Sequence, residues 1–184
     1  MDAFESVIAL LLRAQGYWTY TSFKVDLTKA EKREIGRHSS PRWELDIVAY
    51  KGSTNELLAV ECKSFLDSPG VTFDGTSLSP ASRYKLFTEE GTREVVLRRM
   101  ASQLVESGAC AANPGVRLAL AAGKLRRPKL EADLQAHFDR NDWMLLGPTS
   151  IANMLRLCVG ARYENDVAFV TAKILGRSVP TPVP

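Results

Sequence analysis

Residues 43–65 read WELDIVAYKGSTNELLAVECKSF. Two apolar, β-branched runs flank the turn formers Gly52, Ser53, Thr54 and Asn55, which predicts an antiparallel hairpin with strands Trp43–Tyr50 and Glu56–Phe65. A loop at Gly52–Asn55 sets Lys51 opposite Glu56. Counting back, Tyr50 then faces Leu57, Val48 faces Ala59, Asp46 faces Glu61 and Glu44 faces Lys63. Side chains alternate along a strand, so Glu44, Asp46, Glu61 and Lys63 fall together on one face. The other face carries Trp43, Leu45, Ile47, Ala49, Leu58, Val60 and Cys62, an apolar surface expected to lie under a helix.

Three carboxylates crowded beside one lysine point to chemistry. Like charges directly opposite each other destabilise a sheet unless a cation lies between them or one carboxylate is protonated. A hard divalent cation resolves the conflict. Mg²⁺ takes oxygen ligands, typically one or two carboxylates with waters and substrate phosphate oxygens, and Asp46 and Glu61 are the expected ligands for Mg²⁺ or Mn²⁺. Lys63 lies on the same face and is placed to orient or deprotonate a water and to offset charge on phosphorus oxygens. The pattern suits metal-assisted hydrolysis of a phosphodiester.

Around the hairpin, periodicity sets out the rest of the chain. Asp2 caps a helix carrying Phe4, Val7, Ile8, Leu11 and Leu12, and Gly16 stops it. Tyr17–Val25 reads as a strand, and residues 26–41 as a long charged turn. Residues 66–92 form a long aperiodic loop, expected to serve function or docking. A helix over Arg93–Ser107, a strand over Val116–Ala122, a helix from Leu130 through Phe138 and a strand over Trp143–Leu146 follow. Two more helices are expected, one capped by Ser150 and running to Val159, the other spanning Asn165–Leu175. The order α-β-β-β-α-β, then α-β-α-α, predicts an α/β fold with a central mixed sheet flanked by helices and extra C-terminal helices. A single domain over residues 1–176 is expected, with a flexible tail at 177–184.

Asp46, then Glu61-Cys62-Lys63 after a short apolar strand, resembles the PD-(D/E)xK nuclease superfamily with its restriction-endonuclease-like α-β-β-β-α-β core. ELDIVAY…LLAVECKSF is similar to the metal-site hairpin of its resolvase-like and Mrr-like branches. The resemblance spans about residues 1–120, and Leu45 stands where the family name has proline. It implies an endonuclease acting on DNA, with Asp46 and Glu61 holding the metal together with the backbone carbonyl of Cys62. Glu5 matches a first-helix glutamate that reaches the metal site, so Glu5, Asp46, Glu61 and Lys63 form the expected catalytic set. Gln103 resembles a glutamine that some branches place near the site, although Ser107 replaces the tyrosine that usually follows. Gln103 and Glu44 are accessory candidates.

Composition narrows the partners by exclusion. The chain has 184 residues, 24 Lys and Arg, 21 Asp and Glu, and a net charge of +3, too small by itself to mark a nucleic-acid binder. No apolar run is long enough to span a membrane, and the apolar stretch Val7–Leu12 lacks the basic flank of a signal peptide. Three cysteines without a CxxC pair read as a reduced, cytoplasmic chain. Local basic groups are the candidates for DNA phosphates: Arg37 and Arg42 before the hairpin, Arg83 and Lys85 in the long loop, and Lys124, Arg126 and Arg127 in the turn KLRRPK. Tyr84 and Phe87 either stack on bases or pack within their own loop. A homodimer or a larger defence or mobile-element complex would supply a second site or a partner for activity. The competing reading is a non-catalytic module that binds nucleic acid or protein.

Overall fold

The computed structural model describes residues 2–38, 42–162 and 164–178. Helix α1 (Ala3–Ala14) begins with a reciprocal capping box: the Glu5 N–H donates to the Asp2 carboxylate and the Asp2 N–H to the Glu5 carboxylate. It ends at Gly16, whose φ of +87° lets the chain turn so that the Tyr17 N–H reaches the Leu12 carbonyl. Strand β1 (Trp18–Val25) follows, then helix α2 (Lys29–Glu34), strands β2 (Trp43–Lys51) and β3 (Glu56–Lys63), and the small hairpin β4 (Thr72–Phe73) and β5 (Leu78–Ser79). A 3-10 turn at Ala81–Arg83 leads into helices α3 (Lys85–Thr88) and α4 (Glu90–Glu106). The chain closes with β6 (Gly115–Ala122), α5 (Leu130–Arg140), β7 (Met144–Leu146), α6 (Pro148–Gly160) and α7 (Val167–Ser178).

Five strands form one mixed sheet in the order β1-β2-β3-β6-β7. The β1, β2 and β3 neighbours are antiparallel, whereas β3 with β6 and β6 with β7 are parallel. Strands buried on both sides read as unbroken apolar runs, as Leu57–Val60 and Leu118–Ala122 do. Helices α1, α6 and α7 cover one face through Ile8, Leu12, Ile151, Cys158 and Phe169. Helices α4 and α5 and the 66–87 segment cover the other, through Val96, Met100, Leu134 and Phe138. Among the described residues no helix is long and apolar enough to cross a membrane.

Several expectations need correction. The charged 26–41 stretch is not all turn, because Thr28 and Glu31 form a second capping box that starts α2. That Thr-x-x-Glu signal is present in the sequence. The 66–92 segment is built of short elements rather than an aperiodic loop, and it packs inward: Val71, Phe73, Leu78, Tyr84, Leu86 and Phe87 are all buried. The rings of Tyr84 and Phe87 are therefore core, not stacking surfaces. Finally, the hairpin has no single core face. Val48, Leu57 and Ala59 are as buried as Ile47, Ala49, Leu58 and Val60, each set in its own cluster. The final helix runs to Ser178, across the start of the expected tail, and residues 179–184 lie outside those described.

The start of α6 is set by a distant side chain. Gly147 and Pro148 occupy its first positions, and no local side chain caps it. Instead the Glu131 carboxylate of α5 accepts from the Thr149 N–H (3.1 Å) and the Thr149 hydroxyl (2.7 Å), in place of the expected Ser150 cap. Glu131→Ala is expected to destabilise the fold by about 1 kcal/mol, the typical loss for an N-cap, lowering Tm by a few degrees. Glu131→Gln recovers part of this. Calorimetry of the two variants checks it.

Candidate active site

The hairpin register follows the sequence from Lys51 opposite Glu56 to Ile47 opposite Val60, and there the ladder stops. Beyond that point β2 stays with β1, pairing Leu45 with Phe23 and Glu44 with Lys24. Strand β3 stays with β6, pairing Glu61 with Leu120 and Lys63 with Ala122. The two strands part, so neither Asp46 with Glu61 nor Glu44 with Lys63 forms a cross-strand pair. Into the gap reaches the Asp46 carboxylate, accepting the Cys62 N–H at 2.7 Å. A side chain thus supplies the acceptor that a strand backbone no longer provides.

A backbone irregularity aims Asp46 there. Ser22 of β1 has φ of +53°, in the left-handed region, and the β1–β2 pairing runs from Thr21–Ile47 to Phe23–Leu45 around it. Alternation breaks at this point. Leu45 and Val48 enter one core cluster while Ile47 enters the other, with Asp46 at the break. Such local disruptions of a ladder re-aim side chains. The break also corrects the expected grouping of Trp43 and Leu45 with Ile47 and Ala49.

Glu61 and Lys63 lie two residues apart and form an ion pair at 2.7 Å, each side chain 19% exposed. At that burial the pair is worth more than a surface contact, and each partner depends on the other. One oxygen of Asp46 and one of Glu61 have no hydrogen-bond partner among the described residues, and neither is sealed from solvent. The Cys62 carbonyl points to the same side of β3 as its N–H, into the gap, while the Lys63 carbonyl points the opposite way and accepts from Gly123. Two carboxylates and a carbonyl are hard oxygen donors suited to Mg²⁺ or Mn²⁺ with water completing the shell. Among the described residues no group of three or more His, Cys, Asp or Glu side chains is placed to hold a metal ion.

The other expected residues divide. Burial raises the pKa of Glu5 and the nearby Asp46 charge adds to it, but one of its oxygens serves the capping box. Glu44 is exposed at the end of β2, opposite Lys24. Gln103 does not join the carboxylates: its amide donates to the Lys24 carbonyl and accepts from the Asp26 N–H, holding the end of β1 to α4. Arg37 stacks over the Trp43 ring at 4.3 Å, Arg42 pairs with Asp26, and Lys85 pairs with Glu89. Arg83 is exposed. Lys124 donates to the Leu66 carbonyl. Arg126 and Arg127 are exposed and pair with no carboxylate among the described residues.

The basic turn is fastened beside the end of β3, where the Gly123 N–H donates to the Lys63 carbonyl. Gly123 follows β6, and a Cβ there would stand 2.5 Å from the Ser64 carbonyl oxygen. Gly70, at φ +94°, would bring a Cβ within 2.7 Å of the Leu125 backbone. These close approaches allow the Val71 N–H to reach the Lys124 carbonyl and the Arg126 N–H to reach the Val71 carbonyl. Sequence reading missed Tyr84 as a site neighbour. Its ring is buried, yet the Glu61 charge adds to the burial that pushes its hydroxyl pKa up to about 12.

No protein-family model, curated protein or solved structure matches the chain.

Burial pushes the pKa of Asp46 upward, against the opposing Cys62 N–H and Lys63 charge, and burial likewise raises Glu61 against Lys63. A carboxyl whose folded pKa lies above its unfolded value makes the native state bind more protons, so its contribution falls as pH rises through the folded pKa. Ionised at neutral pH, both groups burden the fold. Asp46→Asn keeps an oxygen for the Cys62 N–H and is expected to raise stability at pH 7, because it removes a charge whose burial is unfavourable. That gain shrinks as pH falls into the carboxylate range. Denaturant melts of both proteins across this range check the sign.

Proposed function

We propose that this chain is a metal-dependent nuclease hydrolysing phosphodiester bonds in DNA, with a PD-(D/E)xK site on a restriction-endonuclease-like fold. The observation that carries the reading is the parted end of the hairpin. There Asp46 takes the Cys62 N–H, and a free oxygen of Asp46, the Cys62 carbonyl and Glu61 remain beside Lys63. Asp46, Glu61 and the Cys62 carbonyl would hold Mg²⁺ or Mn²⁺. When bound, the ion polarises the phosphate and makes water a better nucleophile.

The remaining work falls to the chain. The Lys63 ammonium, held by Glu61 through one N–H, has further donors to orient the attacking water and to offset charge building on the phosphate oxygens. Glu5 accepts or relays a proton at the same end of α1. The exposed Arg126 and Arg127, fastened beside Lys63, meet the flanking phosphates. DNA is favoured over RNA by the resemblance of the hairpin motif.

A second reading has an observation of its own. Glu61 and Lys63 neutralise each other, and among the described residues no third acidic side chain joins them to hold a metal, which also suits a module that binds nucleic acid without cutting it. Calorimetry with Mn²⁺ and a gel shift separate the two: no metal uptake with retained DNA binding favours the module.

Two outcomes are expected. In cleavage assays with Mg²⁺ or Mn²⁺ on plasmid, linear and branched DNA, Asp46→Asn and Lys63→Ala each lose at least about 100-fold in rate. Equal rates in all three proteins overturn the assignment. Arg126→Ala and Arg127→Ala each weaken DNA binding across sequences and reduce the slope of log affinity against log salt by about 1. Titrations at several salt concentrations read this directly.

A further inference from the structure

Strand β1 is an edge of the sheet: β2 pairs with one side of it, and among the described residues no strand pairs with the other. It carries two exposed aromatic side chains, Trp18 at 44% and Tyr20 at 51%. Among the described residues no other Phe, Trp or Tyr is exposed. Single exposed apolar residues need no explanation, but two large rings gathered on one strand mark an interaction surface.

The rings are lined up and held. Residues two apart share a strand face, and the Trp18 and Tyr20 ring centroids stand 6.2 Å apart. Tyr20 in turn meets Phe23 edge-on at 5.5 Å, and Phe23 is buried in the core cluster that α4 covers. A surface propped in this way loses little freedom on association.

Two cations flank the pair. The Arg13 guanidinium donates to the Thr19 hydroxyl at 3.3 Å, and the Lys51 ammonium stands over the Tyr17 ring at 5.2 Å. Neither pairs with a carboxylate among the described residues. Thr19 lies opposite Ala49, which belongs to the other core cluster, so Arg13 reaches the strand from the face away from the rings. Exposed rings on one side of a short strand and unneutralised cations along it are the complement of unpaired nucleotides, whose bases stack on aromatic faces while their phosphates meet cations. A duplex keeps its base faces inside its own stack. An extended peptide would use the free backbone edge of β1, but it brings no regular negative charge for Arg13 and Lys51.

The pair also lies on the strand next to Asp46. Tyr20 is opposite Val48 and Trp18 opposite Tyr50, two and four residues along β2 from Asp46, roughly 7 and 13 Å at the rise of a strand. We infer that Trp18 and Tyr20 form a stacking platform for unpaired nucleotides flanking the cleavage site, so that the substrate class is DNA carrying a single-stranded segment. The inference rests on the nuclease reading and deepens it. The stacking itself needs no metal, so it is measured apart from cleavage.

Fluorescence anisotropy of the full chain in EDTA, with a labelled oligothymidylate and a labelled blunt duplex as probes, tests it. Trp18→Ala and Tyr20→Ala each weaken binding of the single strand at least about 5-fold, the loss of one stacked base, whereas Trp18→Phe keeps most of it and affinity for the duplex moves by less than about 2-fold. Circular dichroism confirms that each variant is folded. Single-strand affinity left unchanged by both alanine variants overturns the inference, as does an equal loss on the duplex. A wild type that does not bind the single strand also overturns it and leaves the β1 edge to a peptide strand. Failure of the nuclease reading looks different: the wild type then cuts no DNA with Mg²⁺ or Mn²⁺ while the single-strand losses persist.

Discussion

The hydrogen bond from the Cys62 N–H to the Asp46 carboxylate organises the rest of the candidate site. It exists because β2 and β3 each have a better partner at this end of the sheet. Strand β2 follows β1 through Leu45 and Glu44, and β3 follows β6 through Lys63. A hairpin that continued its ladder would spend the Cys62 N–H and carbonyl on β2 backbone. By parting, it frees both, and Asp46 satisfies the donor while the carbonyl still faces the gap. Burial of Asp46 is tolerated through this one charge-assisted bond and the nearby Lys63 charge.

The two-sided core makes that gap rigid. Both clusters run up to the point where the strands part, so neither strand can swing back without exposing apolar surface. The 66–87 segment adds a further clamp: Val71 bonds the basic turn, and Tyr84 packs its ring in the core near Glu61. Loop residues that carry no local periodicity thus hold the turn bearing Arg126 and Arg127 at the same end of the sheet as Lys63. A site framed by sheet, helix and packed segment is held more accurately than one on a free loop.

Local signals carried much of this into the sequence. The Asp2/Glu5 box, the Gly16 stop and the hairpin register from Lys51 to Ile47 obey rules of a few residues' range, and the structure follows them. The order of helices and strands around a mixed sheet was legible for the same reason. What local rules cannot carry is competition between strands. The register that puts Asp46 opposite Glu61 assumes that the hairpin keeps pairing with itself, and only the claims of β1 and β6 end it. The Ser22 irregularity was equally hidden, since serine gives no sign of a positive φ as glycine would. Gln103 misled in another way: as a helix-surface amide it was open to any partner, and its partners proved to be backbone groups of Lys24 and Asp26.

The electrostatics follow from the same geometry and limit how the site can be built. Asp46 and Glu61 are both driven toward the protonated form by burial, and Lys63 is the nearest cation acting on each. A fold selected for stability alone would replace the acids with amides, or fill the gap with an apolar side chain, as buried ion pairs often permit. Retaining two burdened carboxylates beside one lysine makes physical sense if something positively charged or polar occupies the gap in the working state and relieves them. Strained or destabilised local chemistry supported by an over-determined scaffold is a feature of functional sites. The scaffold here has that over-determination in the close approaches at Gly70 and Gly123, where even a methyl group would collide with backbone.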